Sequence, residues 1–149
     1  MMILLFLFAL DSGSDGRIAV APRESLTVTV TRPTTPAASG AGSPIVLIPG
    51  LLGGSFGFRK VTPELAAAGH ATYIVEPLGT GTSSHPRDGD YSLDAQSDRV
   101  AAVLDSLGVT NAVVVGANFG ASVALRMAYR HPERVAAVLS LDGGPVDRS

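Results

Sequence analysis

The sequence predicts an α/β fold in which a mainly parallel β-sheet is covered by helices on both faces. Short apolar runs alternate with helix-like stretches along most of the chain. The run at residues 45–48 is apolar throughout and is followed by Pro-Gly, which is typical of a central parallel strand buried on both faces. Apolar and threonine residues alternate over 26–31, which predicts an antiparallel hairpin at one sheet edge.

Turn and cap residues set the bounds of the elements. Thr62 before Pro63 is an alternative start for the first helix. Ser92 is a good N-cap for the second helix, which stops at Gly108. Residues 33–43, rich in Pro, Thr, Ala, Gly and Ser, predict a flexible connector. The predicted strands span residues 17–21, 25–32, 45–48, 71–75, 111–115 and 135–141. The predicted helices span residues 58–68, 92–107 and 121–131.

The composition indicates one globular domain and excludes several functions. The 149 residues are 46% hydrophobic and 16% charged, with a net charge of −2. No basic run or basic helix face occurs, which argues against nucleic-acid or acidic-membrane partners. The chain contains no cysteine, and His70, His85 and His131 lack metal-ligand spacing. We therefore expect neither a metal nor another cofactor.

The N-terminus is unusual because residues 1–10 are wholly apolar. This run is too short to span a bilayer, but residues 1–14 could act as a secretory signal. No basic segment precedes the run, and Pro22 would hinder cleavage at the best site, so a cytoplasmic location is favoured over export. We divide the chain into an apolar tail or signal segment with a linker, residues 1–16, and one domain, residues 17–149.

A glycine-bracketed turn joins the predicted strand 111–115 to the predicted helix 121–131. Its sequence is Gly116-Ala117-Asn118-Phe119-Gly120. Glycines two residues either side of the central position are needed where a strand and a helix press close together. The pattern resembles the nucleophile elbow, G-x-S-x-G, of the α/β-hydrolase family. Asn118 stands where that family has Ser, Cys or Asp, and a carboxamide is not a competent nucleophile at neutral pH.

Other segments resemble the same family in the same order. Residues 45–54 are similar to its third strand and oxyanion loop, and residues 76–83 to its D-x-x-G-x-G-x-S loop. Residues 91–108 and 131–135 resemble the elements that flank the elbow. The resemblance runs from residue 17 to the C-terminus and covers the family's N-terminal half. It implies a partial α/β-hydrolase domain that is truncated after the sixth strand.

The resemblance also implies roles for individual residues. It places the nucleophile position at Asn118, the elbow glycines at Gly116 and Gly120, and the oxyanion-hole donors at the backbone N–H groups of Leu51 and Phe119. Asp142 is a candidate for the catalytic acid, and a turn-capping role is the alternative. No histidine follows it in the 149 residues.

The implied function is ester or acyl hydrolysis of a small molecule, with this chain inactive because Asn118 replaces the nucleophile and the histidine is absent. In this interpretation the chain is a fragment and a pseudoenzyme. The alternatives are a non-catalytic binding module that keeps the hydrolase pocket, and a divergent enzyme in which Asn118 is processed. Dinucleotide binding is disfavoured, because the loops at 50–54 and 79–81 lack G-x-G-x-x-G spacing. We also expect self-association through the apolar edge strand 135–141.

Overall fold

A computed structural model describes residues 15–35 and 42–144. The signal-segment prediction for residues 1–14 lies outside the described residues, as does most of the connector at 33–43. The strands are β1 (Asp15–Ala21), β2 (Glu24–Thr31), β3 (Ile45–Ile48), β4 (Thr72–Val75), β5 (Ala112–Ala117) and β6 (Val135–Leu141). The helices are α1 (Val61–Ala67), α2 (Leu93–Leu107) and α3 (Phe119–Arg130), with 3-10 turns at Ser55–Phe58 and Pro132–Arg134.

These strands form one sheet with the order β1-β2-β4-β3-β5-β6. The pairs β4–β3, β3–β5 and β5–β6 are parallel. The first two strands form an antiparallel hairpin, and β2 joins it to β4 in antiparallel fashion. The predicted fold class and the edge hairpin are confirmed. Because β3 lies between β4 and β5, the loops that follow these three strands meet at the carboxyl edge of the sheet.

The sheet carries a hydrophobic core on each face. Successive side chains of a strand point to opposite faces. Ile45 and Leu47 pack on the face that α1 covers, where Leu65 contacts them. Val46 and Ile48 pack on the other face with buried residues of α2 and α3. Each such side chain contributes roughly 1.5–3 kcal/mol when it is buried. Helices therefore cover both faces, as the sequence predicts.

The helix caps confirm one predicted boundary and correct another. The Ser92 side chain accepts a hydrogen bond from the Ala95 N–H at 3.2 Å, and Gly108 ends α2 with a φ of 66°. The expectation that Thr62 caps α1 is wrong, because the helix begins at Val61. Pro63 is tolerated there because the first-turn N–H groups have no intrahelical acceptor. None of the described helices is long and apolar enough to cross a membrane.

Strand β6 ends the sheet within the described part of the chain. It has the predicted bounds and pairs with β5. Leu139 and Leu141 are 53% and 42% exposed. The edge position is therefore confirmed, whereas self-association through it stays a prediction.

Candidate functional site

The turn between β5 and α3 consists of a single residue. Asn118 has φ 52° and ψ −119°, a backbone conformation that residues other than glycine rarely adopt. The strand runs to Ala117 and the helix begins at Phe119, two residues earlier than predicted. Asn118 is exposed and its side chain does not cap α3. One strained residue thus makes the whole change of direction from strand to helix.

Gly116 and Gly120 allow the strand and the helix to approach this closely. A Cβ at Gly116 would lie 2.2 Å from the carbonyl oxygen of Gly120. A Cβ at Gly120 would lie 2.0 Å from the Ile48 carbonyl oxygen and 2.7 Å from that of Pro49. All three distances are below van der Waals contact, and the obstructing atoms are backbone. The close approach expected from the sequence is present at both glycines.

Two further glycines crowd Asn118 from neighbouring strands. A Cβ at Gly50, after β3, would lie 3.1 Å from the Asn118 Cβ. A Cβ at Gly143, after β6, would lie 2.7 Å from the Asn118 carbonyl oxygen. The Asn118 N–H donates to the Leu141 carbonyl at 3.0 Å, and its own carbonyl accepts from the Ala121 N–H at 2.9 Å. The backbone of Asn118 is therefore held by three strand ends.

The structure brings the two predicted oxyanion donors to this crowded point. Leu51 follows Gly50 directly in a tight turn, which the Gly53 N–H closes by donating to the Gly50 carbonyl at 3.3 Å. Phe119 follows Asn118 and is the first residue of α3, where N–H groups lack an intrahelical acceptor. The backbones of both donors thus flank the contact between Gly50 and Asn118. The Leu51 side chain is 58% exposed.

Asp142 lies at the same edge of the sheet. It follows β6 with φ 51° and is exposed. Ala117 is opposite Leu141 in the β5–β6 register, so Asp142 and Asn118 are the next residues on neighbouring strands. Ser122 holds the following segment by donating to the Gly144 carbonyl at 3.0 Å. Asp142 is therefore near the turn, and its positive φ also fits the turn interpretation.

Of the three histidines, His85 lies in a loop at this edge, and the other two do not. His70 precedes β4 and His131 precedes β6, both at the amino edge, as expected from the sequence. The His131 Nε2 lies 2.7 Å from an Asp98 carboxylate oxygen. His85 is exposed in the loop after β4. The residues that the structure describes include no group of three or more side chains suited to a metal ion.

Glu76 lies at the same edge of the sheet, and the sequence analysis did not predict a separate role for it beyond the 76–83 motif. It follows β4 directly and is 4% exposed. Its carboxylate accepts hydrogen bonds from the Ser55 N–H at 2.9 Å and the Thr82 N–H at 2.8 Å. Glu76 therefore joins the segments that contain Ser55 and Thr82. The only local sign of this in the sequence is the position of an acidic residue between an apolar strand and a glycine-rich loop. The partner Ser55 lies far away in the sequence.

Comparison with known proteins identifies the family. A sequence profile of the alpha/beta hydrolase fold matches residues 43–148. The chain is 41% identical over 101 residues to 2-hydroxymuconate semialdehyde hydrolase of Pseudomonas sp. (strain CF600), covering 65% of this chain and 35% of that protein. It is 34% identical over 104 residues to bifunctional epoxide hydrolase 2 of Rattus norvegicus, covering 69% of this chain and 19% of that protein.

A solved structure extends the similarity to the fold. Epoxide hydrolase A from Mycobacterium thermoresistibile superposes with a TM-score of 0.75 at 26% identity. The match covers 91% of this chain and 41% of that structure. The chain therefore spans well under half the length of these relatives.

Proposed function

Because the chain belongs to the alpha/beta hydrolase fold family, we propose that its carboxyl edge is a hydrolase site for small ester-like molecules that has lost its nucleophile. Asn118 occupies the nucleophile position, Gly116 and Gly120 are the elbow glycines, and Leu51 and Phe119 supply the oxyanion hole. In this proposal the 149-residue chain does not hydrolyse esters.

The observation that carries the proposal is the strained backbone of Asn118 within a ring of close glycines. A residue held in a rarely populated conformation costs on the order of 1–3 kcal/mol and persists only where its surroundings enforce it. Four glycines surround the turn: Gly116 in β5, Gly120 in α3, Gly50 in the segment after β3 and Gly143 in the segment after β6. Such strain clusters at functional sites. This arrangement supports a turn built to present its central side chain.

The chemistry of that side chain supports inactivity. The amide nitrogen of a carboxamide shares its lone pair with the carbonyl, so Asn118 cannot attack an ester carbonyl at neutral pH. Backbone donors do not depend on side-chain identity, so Leu51 and Phe119 could still bind an oxyanion. His70 and His131 lie at the amino edge, and the exposed His85 has no described hydrogen bond that would orient it as a general base. Asp142 could at most orient such a base.

A non-catalytic binding module is the second candidate. The Asn118 carboxamide offers both a donor and an acceptor where a nucleophile would stand. Leu52, two residues after Gly50, is wholly exposed at 102%, which gives this edge an apolar contact surface. In such a module the site would bind ester-like molecules without turning them over.

Ester hydrolysis and covalent labelling test the proposal together. We expect the chain to hydrolyse p-nitrophenyl acetate no faster than an Asn118→Ala control, and to form no adduct with a fluorophosphonate by intact-mass analysis. We expect Asn118→Ser alone to remain inactive. Turnover above the control, or an adduct on the unchanged chain, would contradict the proposal. Saturable binding of a non-hydrolysable ester analogue that Asn118→Ala weakens would favour the binding module.

Peptide mass analysis of aged protein tests the processing alternative. Succinimide formation requires a flexible backbone and an unhindered next residue, whereas Asn118 lies in a constrained turn and precedes Phe119. We therefore expect position 118 to remain an amide. An Asp at this position that accumulates together with turnover would overturn this view.

A further inference from the structure

We propose that Glu76 is a positioning residue for the predicted oxyanion loop. Its buried carboxylate ties the Leu51 loop, defined as residues 49–55, to the β4 loop, defined as residues 77–84. The role of the Leu51 N–H rests on the proposed function, whereas the tie itself is independent of catalysis.

The hydrogen bonds divide the carboxylate between the two loops. Oε1 accepts from the Ser55 N–H at 2.9 Å, and Oε2 accepts from the Thr82 N–H at 2.8 Å. The Thr82 hydroxyl also lies 3.2 Å from Oε2. Glu76 is 4% exposed, so these donors take the place of water. Each oxygen thus serves one loop, and a loss of either oxygen would leave a partly buried N–H without its partner.

Two glycines make room for the carboxylate, one in each loop. Gly54 has φ +50°, and a Cβ there would lie 3.2 Å from Oε1. Gly81 has φ +51°, and a Cβ there would lie 2.3 Å from Oε2. A side chain at Gly81 would displace the carboxylate, and one at Gly54 would crowd it. Both loops therefore bend around Glu76 at positions that favour glycine.

The β4 loop has further anchors and forms the fixed side of the tie. The Ser83 hydroxyl accepts from the Thr27 N–H of β2 at 2.9 Å. The Gln96 side chain of α2 bonds both the N–H and the carbonyl of Leu78, at 3.0 Å and 2.9 Å. Removing the carboxylate leaves these contacts intact. The β4 loop is thus fixed independently of the carboxylate, and Glu76 can hold the Leu51 loop in place relative to it.

The Leu51 loop is held at its start by packing and at its end by Glu76. Gly50 packs against Asn118, and the turn from Gly50 to Gly53 follows. Ser55 then donates its N–H to Glu76. Leu51 lies between these two attachments. Loss of the second attachment should let the loop move relative to Asn118, and with it the backbone N–H of Leu51.

Amide hydrogen exchange by NMR on the full 149-residue chain tests the tie. In Glu76→Gln, one carboxylate oxygen becomes an NH₂ donor that faces an N–H. We expect the exchange rates of the Leu51–Ser55 amides to rise about tenfold or more, while those of β3 and β5 change less than threefold. Glu64→Gln, an exposed glutamate of α1, is the matched control and should change neither set.

Glu76→Asp separates positioning from general support. The carboxylate is then one methylene shorter and cannot reach both loops. We expect faster exchange at Ser55, with Leu78 and Ser83 unchanged. A uniform rise at all amides would show that Glu76 supports the whole fold, and an unchanged Ser55 would also overturn the proposal.

Gly54→Ala keeps the proposal testable if the Glu76 variants do not fold. It crowds the carboxylate from the Leu51 side and should raise exchange at Ser55 about tenfold or more, whereas Gly57→Ala, with open space around it, should not. Equal exchange in these two variants would overturn the inference. Because the readout involves no turnover, an esterase result against the proposed function leaves this test unaffected.

Discussion

Two asparagines with the same φ bracket β5 and occupy very different surroundings. Asn111 precedes the strand and Asn118 follows it, and both have φ 52°. Asparagine adopts positive φ more readily than most residues, so Asn111 needs no explanation beyond the end of a short connection. At Asn118, glycines from three directions press on the turn. The comparison teaches that positive φ alone does not distinguish the two asparagines, whereas the close approach of glycine backbone to Asn118 does.

The two edges of the sheet also differ in what holds them together. At the carboxyl edge, backbone meets backbone at distances that exclude a single methyl group. Near the amino edge, polar side chains connect α2 to the end of α3: Arg130 forms an ion pair with Asp98 at 2.8 Å, and His131 contacts the same carboxylate at 2.7 Å. Because of these close backbone contacts, the stability of the carboxyl edge should be sensitive to added side-chain volume. Partly exposed ion pairs should make the amino edge sensitive mainly to pH and salt.

The largest effect should come from adding a methyl group at the carboxyl edge. A Cβ in Gly120→Ala would lie 2.0 Å from the Ile48 carbonyl oxygen, and α3 cannot move away without unpacking its buried face. We expect a loss of about 3 kcal/mol or more in the free energy of unfolding, measured by urea denaturation. Gly57→Ala is the control, because a Cβ there meets nothing within 4 Å. Equal losses in both variants would contradict the steric account.

A smaller effect of opposite sign should distinguish the two asparagines. Asn118→Gly places a glycine in a backbone conformation that strains other residues, which removes that strain. The free energy of unfolding should rise by about 1 kcal/mol, once the extra conformational entropy of glycine in the unfolded chain is subtracted. Asn111→Gly should change it by less than about 0.5 kcal/mol, because asparagine tolerates positive φ better than most residues. Urea denaturation of both variants measures the difference. The same gain at both positions would mean that Asn118 is not specially strained.

Sequence reasoning succeeded at α2 and β6, which have local chemical signals, but the signal of Thr62 before Pro63 suggested a later start for α1 than the observed Val61. The Ser92 cap and Gly108 gave the bounds of α2, and the apolar run before Asp142 gave the bounds of β6. It also failed where such a signal is absent. Helix α3 starts at Phe119 without a capping side chain, because Asn118 changes strand into helix in one step. The prediction treated residues 116–120 as a turn and therefore placed the start of the helix two residues too late.

The candidate site was predictable in part for a related reason. Gly116, Asn118 and Gly120 are adjacent in the sequence, so their pattern is visible there. The contact of Gly50 with Asn118 depends on β3 and β5 lying side by side, which the family resemblance suggests and local patterns do not. The hydrogen bond between Glu76 and Ser55 joins two loops that are 21 residues apart in the sequence, so no short motif contains both residues.

The smallest effect should come from Asp98 at the helix contact, and it should depend on pH. The hydrogen bond from Arg130, with a further one from His131, holds the pKa of the Asp98 carboxyl below its usual value. A lowered pKa in the folded state adds stability that is present above the ordinary value of 3.8 and is lost as the pH falls through the lowered one. Because the Asp98 side chain is 44% exposed, solvent screening keeps this contribution small. We expect Asp98→Asn to cost about 0.5 kcal/mol at pH 7 and progressively less as the pH falls below 3.8, by urea denaturation at a series of pH values. Asp88→Asn, whose partner Arg23 is 81% exposed, is the control and should have no effect at any of these pH values. A cost for Asp98→Asn that persists undiminished at low pH would show that Asp98 acts through packing rather than charge.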